Sequence, residues 1–220
     1  MPWKDGPVNG LRFPDRTVTE LMDRSAPNQT GKALDLGCAV GASSFVLANF
    51  FDRVTGLDFS ESFIEAANEI KRQGFLEYKY LEEGDTFGQG TVRCPEHSDK
   101  VSFVVGDACD LPNEWRGFDL VHAANLICRL PDPHVLFSRL PDLVKVGGQL
   151  LLATPFTWLE EFTPKDKWVG NGNSAQALGE ALSPHFKLEK SVDLPFVIRE
   201  HRRKFQFSVS LGTRWRRVKE

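Results

Sequence analysis

The sequence is poor in cysteine and in long apolar runs, and each shortage excludes a class of protein. Four cysteines are spread over 220 residues, and none of them forms a C-x-x-C pair. That spacing disfavours a zinc site and a disulfide-stabilised secreted domain. No apolar run approaches the roughly 18 residues of a membrane span, and the start MPWKDGPVNG lacks the apolar core of a signal peptide. We therefore expect reduced thiols, no bound metal, no membrane contact and a cytoplasmic location.

An overall excess of positive charge is also missing. The formal net charge is −3, so no global positive field draws the molecule toward nucleic acid. Basic residues are crowded only in the last part of the chain, from Arg199 to Lys219. We expect no nucleic-acid partner. With 41% hydrophobic residues, the chain is long enough for one well-cored domain and short for two, so we predict a single domain over residues 1–220.

Short apolar runs that end in Asp or Asn alternate with amphipathic stretches. This alternation is typical of repeated βαβ units around a parallel sheet. The predicted strands are KALDLG, RVTGLDFS, VSFVVGDA, FDLVHAAN and GGQLLLATPF, and the predicted helices between them are GASSFVLANFF and SESFIEAANEIKRQG. The period-two alternation in FKLEKSVDL and FQFSVSL predicts antiparallel strands near the C-terminus. The sequence therefore predicts an α/β fold with a mostly parallel sheet.

Three segments need separate interpretation. DRTVTELMDRS predicts a helix within an N-terminal helical cover over residues 1–30. PDPHVLFSRLPDLVKVGG predicts a helix that leads to a Gly-Gly turn, and Pro141 is expected to break or kink it near Leu140. Residues 75–99 are too long for the short loop of a βαβ unit, and their aromatic residues favour an ordered, inserted flap.

The stretch ALDLGCAVGASSF raises the question of which ligand its glycine turn binds. A dinucleotide-binding turn has the pattern G-x-G-x-x-G, and here Ala39 and Ala42 replace two of its glycines. The alternative pattern D-x-G-x-x-x-G matches Asp35, Gly37 and Gly41. That pattern is typical of sites for S-adenosylmethionine (SAM), whose ligand carries an ammonium and a carboxylate but no pyrophosphate. The turn therefore favours SAM.

Two more acids end the next predicted strands. Asp58 follows the first glycine by about twenty residues, where it can accept both ribose hydroxyls. Asp107 can accept the adenine amino group while the Ala108 amide donates to the ring. Alone, each acid would more often be a helix cap or a turn residue, but three acids on three successive strand ends point to a common ligand. We predict SAM as cofactor, bound by Asp35, Gly37, Cys38, Gly41, Asp58, Phe59, Asp107, Ala108 and Asn125.

The chain also resembles a particular family. The stretches LDLGCAVGASSF, VTGLDFSESFI, GDACDL, AANLICRL, TPFTWLEEFTPKDKW and DLPFVIREHRRKFQ are similar to the C-terminal methyltransferase domain of the ovothiol biosynthesis enzyme. The similarity runs from about Lys32 to Arg217 and is most specific in TPFTWLEEFTP and LPFVIREHRRKFQ. It implies a Rossmann-like class I methyltransferase fold, with a seven-stranded, mostly parallel sheet, helices on both faces and an antiparallel C-terminal strand.

The resemblance also implies an activity. Methyl transfer from SAM to an imidazole nitrogen of 5-thiohistidine (4-mercaptohistidine) would give ovothiol A. The family domain is usually fused behind an iron-dependent sulfoxide synthase, and this sequence has no such region and no histidine cluster for the iron. We therefore expect either a separate methyltransferase, with a sulfoxide synthase on another chain as partner, or an excised domain. Residues 75–99 match the family less clearly.

A free amino-acid substrate needs a cation for its carboxylate, acceptors for its ammonium and apolar walls for its ring. The basic and acidic candidates also fit a solvated strand face or a turn cap, and the aromatic ones fit the core. Asn125 follows the fourth strand, and His201 is the histidine nearest the expected substrate side, so both are candidate catalytic residues. The candidate substrate-binding residues are Tyr80, Phe156, Trp158, Glu160, Glu161, Arg199 and Arg203.

Three other functions stay compatible with the sequence. One is SAM-dependent methylation of another small nucleophile, because this fold serves many chemistries. Another is nucleic-acid binding through the basic C-terminal stretch, which would be weak and salt-dependent. The third is a noncatalytic SAM-binding regulator.

Overall fold

The structure is a computed structural model that describes residues 7–25 and 31–218. In the described part of the chain the strands are β1 (Lys32–Leu36), β2 (Arg53–Asp58), β3 (Phe75–Glu83), β4 (Thr86–Arg93), β5 (Val101–Val105), β6 (Phe118–Ala124), β7 (Val144–Thr154), β8 (Phe186–His201) and β9 (Lys204–Arg217). The helices are α1 (Phe13–Thr19), α2 (Ala42–Leu47), α3 (Glu61–Gln73), α4 (Pro133–Leu143) and α5 (Ser174–Leu182).

Seven of these strands form one sheet in the order β5-β2-β1-β6-β7-β9-β8. Strands β5, β2, β1, β6 and β7 are parallel, and β9 runs antiparallel between β7 and β8. The predicted Rossmann-like fold is therefore confirmed. The strand order reverses between β1 and β6, and open sheets of this type bind ligands at the carboxyl ends of such strands.

The central strands are apolar because helices cover both faces of the sheet. In β1, four of five residues are buried. One apolar cluster joins the sheet to α4 and α5 through Leu136, Leu140, Leu143, Leu178 and Leu182. The cluster on the other face includes Val18, Leu21, Phe45, Leu47 and Ile70, from the segment around α1 and from α2 and α3. Burial of these side chains holds the strand ends at fixed positions.

The N-terminal helix is shorter than its predicted stretch and begins earlier. It covers Phe13–Thr19, with Pro14 in the first turn, where a backbone N–H is not needed. Phe13 packs on Phe196 of β8 with ring centroids 4.8 Å apart. Residues 1–6 and 26–30 of the predicted cover lie outside the described residues.

The expected break at Pro141 is wrong. Helix α4 continues through Pro141 to Leu143, because the proline falls in the last turn and costs only one late backbone bond. The Val144 N–H still closes the helix on the Leu140 carbonyl. The predicted Gly-Gly turn lies inside β7, which begins at Val144. The pairing of β7 with β6 jumps from Val144 to Gln149, and Gly147 has a φ of +80°, so the glycines form an irregularity within the strand and not a separate turn before it.

Residues 75–93 of the predicted flap form an antiparallel hairpin of β3 and β4. Tyr80 lies across from Gly88, and Tyr78 lies across from Gly90. A Cβ atom at Gly88 would lie 2.6 Å from the Tyr80 ring, and one at Gly90 would lie 2.5 Å from the Tyr78 ring. The glycines therefore leave room for the two tyrosine rings, as cross-strand glycine–aromatic pairs do.

Candidate active site

A cavity of about 710 Å³ lies at the carboxyl ends of the parallel strands. Residues that follow β1, β2, β5 and β6 line it, together with a segment beyond β7. Of the predicted cofactor-binding residues, the cavity wall contains Gly37, Asp58, Phe59, Asp107, Ala108 and Asn125. A cavity of this size, largely apolar with a few converging polar groups, fits a cofactor-sized ligand.

The glycine turn is tied to the neighbouring strand. The N–H groups of Gly37 and Cys38 both donate to the Leu57 carbonyl, at 2.8 and 3.0 Å. Gly37 and Gly41 have φ values of +68° and +88°, which favour glycine. At Gly41 a Cβ atom would lie 2.4 Å from the Phe103 ring. The turn therefore needs glycine at this position for both backbone and packing reasons.

Two of the three predicted acids line the cavity. The Asp58 carboxylate accepts from the Ala39 N–H at 2.8 Å and from the Ser60 N–H at 2.9 Å. Asp107 accepts from the Cys109 N–H at 2.8 Å. Backbone donors thus fix each carboxylate, while unused oxygen lone pairs are left for hydroxyl or amino donors of a ligand.

Asp35 does not line the cavity. Its carboxylate accepts from the Ser44 hydroxyl at 2.6 Å and lies 2.7 Å from Nδ1 of His122, whose Nε2 lies 3.0 Å from the Thr17 hydroxyl. All four residues are buried. Asp35 therefore connects β1 to α2, β6 and α1 behind the turn. Asp35 and His122 are register partners on the adjacent parallel strands β1 and β6, and this pairing brings their side chains into contact.

Cys38 and Gly41 also lie outside the cavity wall. Burial, followed by the nearby charges of Asp35 and Asp58, raises the pKa of the Cys38 thiol far above its usual value. The thiol therefore stays protonated and has no nucleophilic role.

Asn125 lies where β6 ends and the cavity opens toward the segment beyond β7. Its φ is +54°, and its N–H donates to the Ala153 carbonyl at 2.7 Å. The side-chain oxygen accepts from the Ser210 hydroxyl of β9 at 2.7 Å. These two hydrogen bonds hold the strained backbone conformation of Asn125, which lies in the cavity wall.

We call the part of the cavity beyond β6 the distal part; Asn125, Leu126, Arg129, Glu161 and Phe162 line it. Arg129 was not predicted. It follows β6 in the stretch ICRL, where a single cation among apolar residues was the available signal. Glu161 was a predicted substrate-binding residue, and the structure places it in this wall with Phe162.

Tyr80 and Arg199 lie near each other, but neither lines the cavity. The Arg199 guanidinium lies 4.4 Å from the centre of the Tyr80 ring and 2.9 Å from the Glu82 carboxylate. Nearby, Nδ1 of His201 accepts from the Arg203 N–H at 3.2 Å in the β8–β9 turn. The hairpin and β8 thus contact each other here because Arg199 satisfies a carboxylate and stacks on a ring.

Phe156, Trp158 and Glu160 also lie outside the cavity wall. Phe156 and Trp158 pack against the apolar cluster of α4 and α5, and the Trp158 indole N–H donates to Ser174 at 3.0 Å. Glu160 pairs with Lys165 at 3.0 Å. The chain turns between Glu160 and Glu161, so only the second of these adjacent acids reaches the cavity.

Within residues 7–25 and 31–218, no group of three or more His, Cys, Asp or Glu side chains is arranged to hold a metal ion. Over the same residues, no helix has the length and apolar character needed to cross a membrane.

Comparison with known proteins gives a consistent picture. Residues 34–152 match the family model described as "Methyltransferase domain". The methyltransferase str2 of Strobilurus tenacellus is 38% identical over 80 residues, which cover 34% of this chain and 29% of that protein. Phosphoethanolamine N-methyltransferase 1 of Arabidopsis thaliana is 26% identical over 172 residues, covering 76% of this chain and 30% of that protein. The chain thus spans less than a third of the length of these two relatives.

A solved structure shows the same fold. The N-methyltransferase NodS of Bradyrhizobium japonicum WM9, in complex with S-adenosyl-L-homocysteine (SAH), has a TM-score of 0.60 and 15% identity. The similarity covers 99% of this chain and 92% of that one. At this identity the similarity concerns the fold.

The chain belongs to the methyltransferase domain family, and it is a SAM-dependent methyltransferase domain. The cavity fits this cofactor. The cavity wall contains Asp58, predicted to bind the ribose, and Asp107 and Ala108, predicted to bind the adenine, together with the apolar side chains of Phe59 and Phe63. Asn125 and Gly37 line the same cavity wall.

Proposed function

We propose that this protein transfers a methyl group from SAM to an imidazole nitrogen of 5-thiohistidine (4-mercaptohistidine), giving ovothiol A. One observation carries the proposal. The stretch TPFTWLEEFTP, which is among the most family-specific parts of the sequence, contributes Glu161 and Phe162 to the wall of the cofactor cavity. Two residues of a stretch that carries the resemblance therefore lie beside the cofactor site, where a substrate must bind.

The mechanism needs little acid–base chemistry from the protein. SAM, when bound, supplies an electrophilic methyl group on its sulfonium sulfur. A neutral imidazole already has a nitrogen lone pair, and after methylation the ring loses the proton of its other nitrogen to solvent as the product leaves. The chain must therefore align the reacting nitrogen and exclude water from it during the transfer. Phe162 supplies an apolar wall, and Asn125 has an amide NH₂ at the wall to orient the ring. His201 lies in the β8–β9 turn, outside the cavity wall, and we assign it no proton transfer.

The proposed substrate already contains its carbon–sulfur bond. We propose that a sulfoxide synthase, on another chain or in another domain, supplies the 5-thiohistidine. Nothing in the cavity wall provides a ligand set for the iron of such an enzyme, because its acids are Asp58, Asp107 and Glu161 and it has no histidine.

Nucleic-acid binding has less support in the structure. The C-terminal basic stretch is partly neutralised by carboxylates. Arg216 pairs with Asp23 at 2.8 Å and with Glu189 at 2.9 Å, and Arg214 pairs with Glu189 at 3.1 Å. Cations that already contact carboxylates contribute less to phosphate binding.

The test is a mass-spectrometric assay with SAM and a panel of 5-thiohistidine, histidine, other imidazoles and tRNA. We expect 5-thiohistidine to become heavier by one methyl group, with SAH as the second product. Turnover of another small molecule without turnover of 5-thiohistidine would support methylation of a different nucleophile. SAH binding without turnover of any compound would support a noncatalytic regulator.

A further inference from the structure

Two charged side chains in the distal part of the cavity have no charged partner. Arg129 and Glu161 both line the wall, and neither forms an ion pair with any of the residues that the structure describes. They also do not pair with each other. Because these two opposite charges line the same cavity wall without contacting each other, a ligand that carries both charges can pair with each of them.

Neutral groups hold the Arg129 guanidinium in place. Its Nη1 donates to the carbonyls of Cys128 and Thr157, at 2.9 and 2.8 Å, and its Nη2 lies 3.3 Å from the Thr157 hydroxyl. The guanidinium also lies 4.9 Å from the centre of the Phe162 ring. These contacts fix its orientation but leave its charge unneutralised, as suits recognition of a carboxylate.

Glu161, like Arg129, has no ion pair with a described residue, and in this it differs from the adjacent Glu160. Glu160 pairs with Lys165 at 3.0 Å and is not part of the cavity wall, whereas Glu161 lines it. An ionised carboxylate accepts hydrogen bonds only, and an ammonium has three to donate. Glu161 is therefore the acceptor that the wall offers to an ammonium group.

One of the two arginines that the sequence favoured for the same task is already engaged. Arg199 pairs with Glu82 and stacks on Tyr80, outside the cavity. Using it for a substrate carboxylate would break both contacts, whereas Arg129 has no ion pair with a described residue to lose. The geometry therefore favours Arg129 over Arg199.

We propose that Arg129 binds the α-carboxylate of the substrate and that Glu161 binds its α-ammonium, so the enzyme selects zwitterionic amino acids. Phe162 lies beside Arg129 and supplies apolar contact. We call these three residues the amino-acid subsite. The proposal rests on the proposed function, because it specifies how the amino-acid part of that substrate is recognised.

The test compares substrates that lack one charge with variants that lack its partner. We use 5-thiohistidine, the corresponding amine without the carboxylate, and the corresponding propionate without the ammonium. With the unaltered protein and saturating SAM, removal of either the carboxylate or the ammonium from the substrate should raise KM by about 10- to 100-fold. This is the range expected for one charged hydrogen-bonded contact.

In Arg129→Gln, the KM for 5-thiohistidine should rise by a similar factor, and the amine should then bind no worse than the amino acid. In Glu161→Gln, the KM for the propionate should likewise be no higher than the KM for 5-thiohistidine. Arg129→Lys keeps the charge but loses the planar fork, so it should retain part of the preference. The control variants Arg72→Gln and Glu65→Gln, on the exposed face of α3, should behave like the unaltered protein.

Calorimetry with SAH tests the other possible partner of these charges, the amino-acid end of the cofactor. We expect the Kd for SAH to change by less than about 2-fold in both variants. A large rise in that Kd, with substrate preference retained, would assign Arg129 and Glu161 to the cofactor and overturn the proposal. Retention of the full preference for the carboxylate in Arg129→Gln would also overturn it.

Failure of the proposed function has a different outcome. If 5-thiohistidine is not methylated, histidine and histamine can be titrated into the SAH complex. Tighter binding of histidine that is lost in Arg129→Gln would preserve the subsite while refuting the proposed substrate. Equal or undetectable binding of both compounds would overturn the subsite.

Discussion

Nδ1 of His122 lies 2.7 Å from the Asp35 carboxylate, and both side chains are almost fully buried within the sheet. Asp35 begins the motif D-x-G-x-x-x-G, so the acid of that motif acts here through other residues. Its contacts with Ser44 and His122 connect the glycine turn to α2 and β6. Asp35 is therefore a positioning residue for the turn.

We expect His122→Ala to lower the free energy of unfolding by about 3 kcal/mol, because it leaves the buried Asp35 carboxylate with the Ser44 hydroxyl but without its imidazole partner. SAH affinity should fall as well, since the turn loses a support. Urea unfolding and calorimetry measure the two effects. Asp52→Asn, on an exposed turn, is the control, and unchanged stability in His122→Ala would contradict the role of this contact.

Asp58→Ala should weaken SAH binding by at least about 100-fold, because two hydrogen bonds from ribose hydroxyls to a carboxylate are lost. The variant also releases the N–H groups of Ala39 and Ser60. Calorimetry with SAH measures the effect, and circular dichroism checks the fold. Unchanged affinity would exclude Asp58 from the cofactor site.

Gly41→Ala should destabilise the protein by about 3 kcal/mol, since it combines a positive φ with overpacking. Its Cβ atom would lie 2.4 Å from the Phe103 ring. Gly74→Ala is a matched control, because Gly74 has a φ of +81° and no atom within 4 Å of the added Cβ. That control should cost only about 1 kcal/mol. Equal costs in thermal unfolding would show that packing against Phe103 is unimportant.

Arg199→Ala should loosen the hairpin without changing substrate preference. The variant removes the ion pair with Glu82 and the stacking on Tyr80, both partly exposed, so global stability should fall by less than about 1 kcal/mol. Proteolysis near Gly84 should become faster. A selective rise in the KM for 5-thiohistidine over its amine would instead assign Arg199 to the substrate carboxylate.

Protonation of Glu189 at acid pH should weaken its ion pair with Arg216 and lower the free energy of unfolding. The hydrogen bond from Arg216 lowers the pKa of Glu189 below its usual value of 4.5. A lowered pKa in the folded state gives stability that is present above 4.5 and is lost as the pH falls through the folded-state pKa. Glu189→Gln should remove this part of the acid dependence in urea unfolding between about pH 5 and pH 3. If the free energy of unfolding of Glu189→Gln depends on pH as in the unaltered protein, the stabilising role of this pair is contradicted.

The sequence predicted the central sheet well, because apolar runs that end in acids have the local pattern of parallel strands. It predicted Asp58 and Asp107 as site residues for the same reason, and the structure places both in the cavity wall. It misjudged Pro141, because the cost of a proline depends on how close the helix end lies.

Some contacts depend on residues far apart in the chain, and no local pattern contains them. Asp35 and His122 meet because β1 and β6 are neighbours in the sheet. Arg199 meets Glu82 because the hairpin reaches β8. Arg129 and Glu161 share a cavity wall although 31 residues separate them in sequence.

By itself, the sequence predicted the acids that follow successive apolar strands, the glycine turn and the type of cofactor, since these follow from short-range patterns. Only the tertiary structure decided which charged groups are already paired and which face the cavity unpaired. The physical reason is that neutralisation of a charge depends on distances across the fold. Glu160 and Glu161, adjacent in sequence, illustrate this difference, because one pairs with Lys165 and the other lines the cavity.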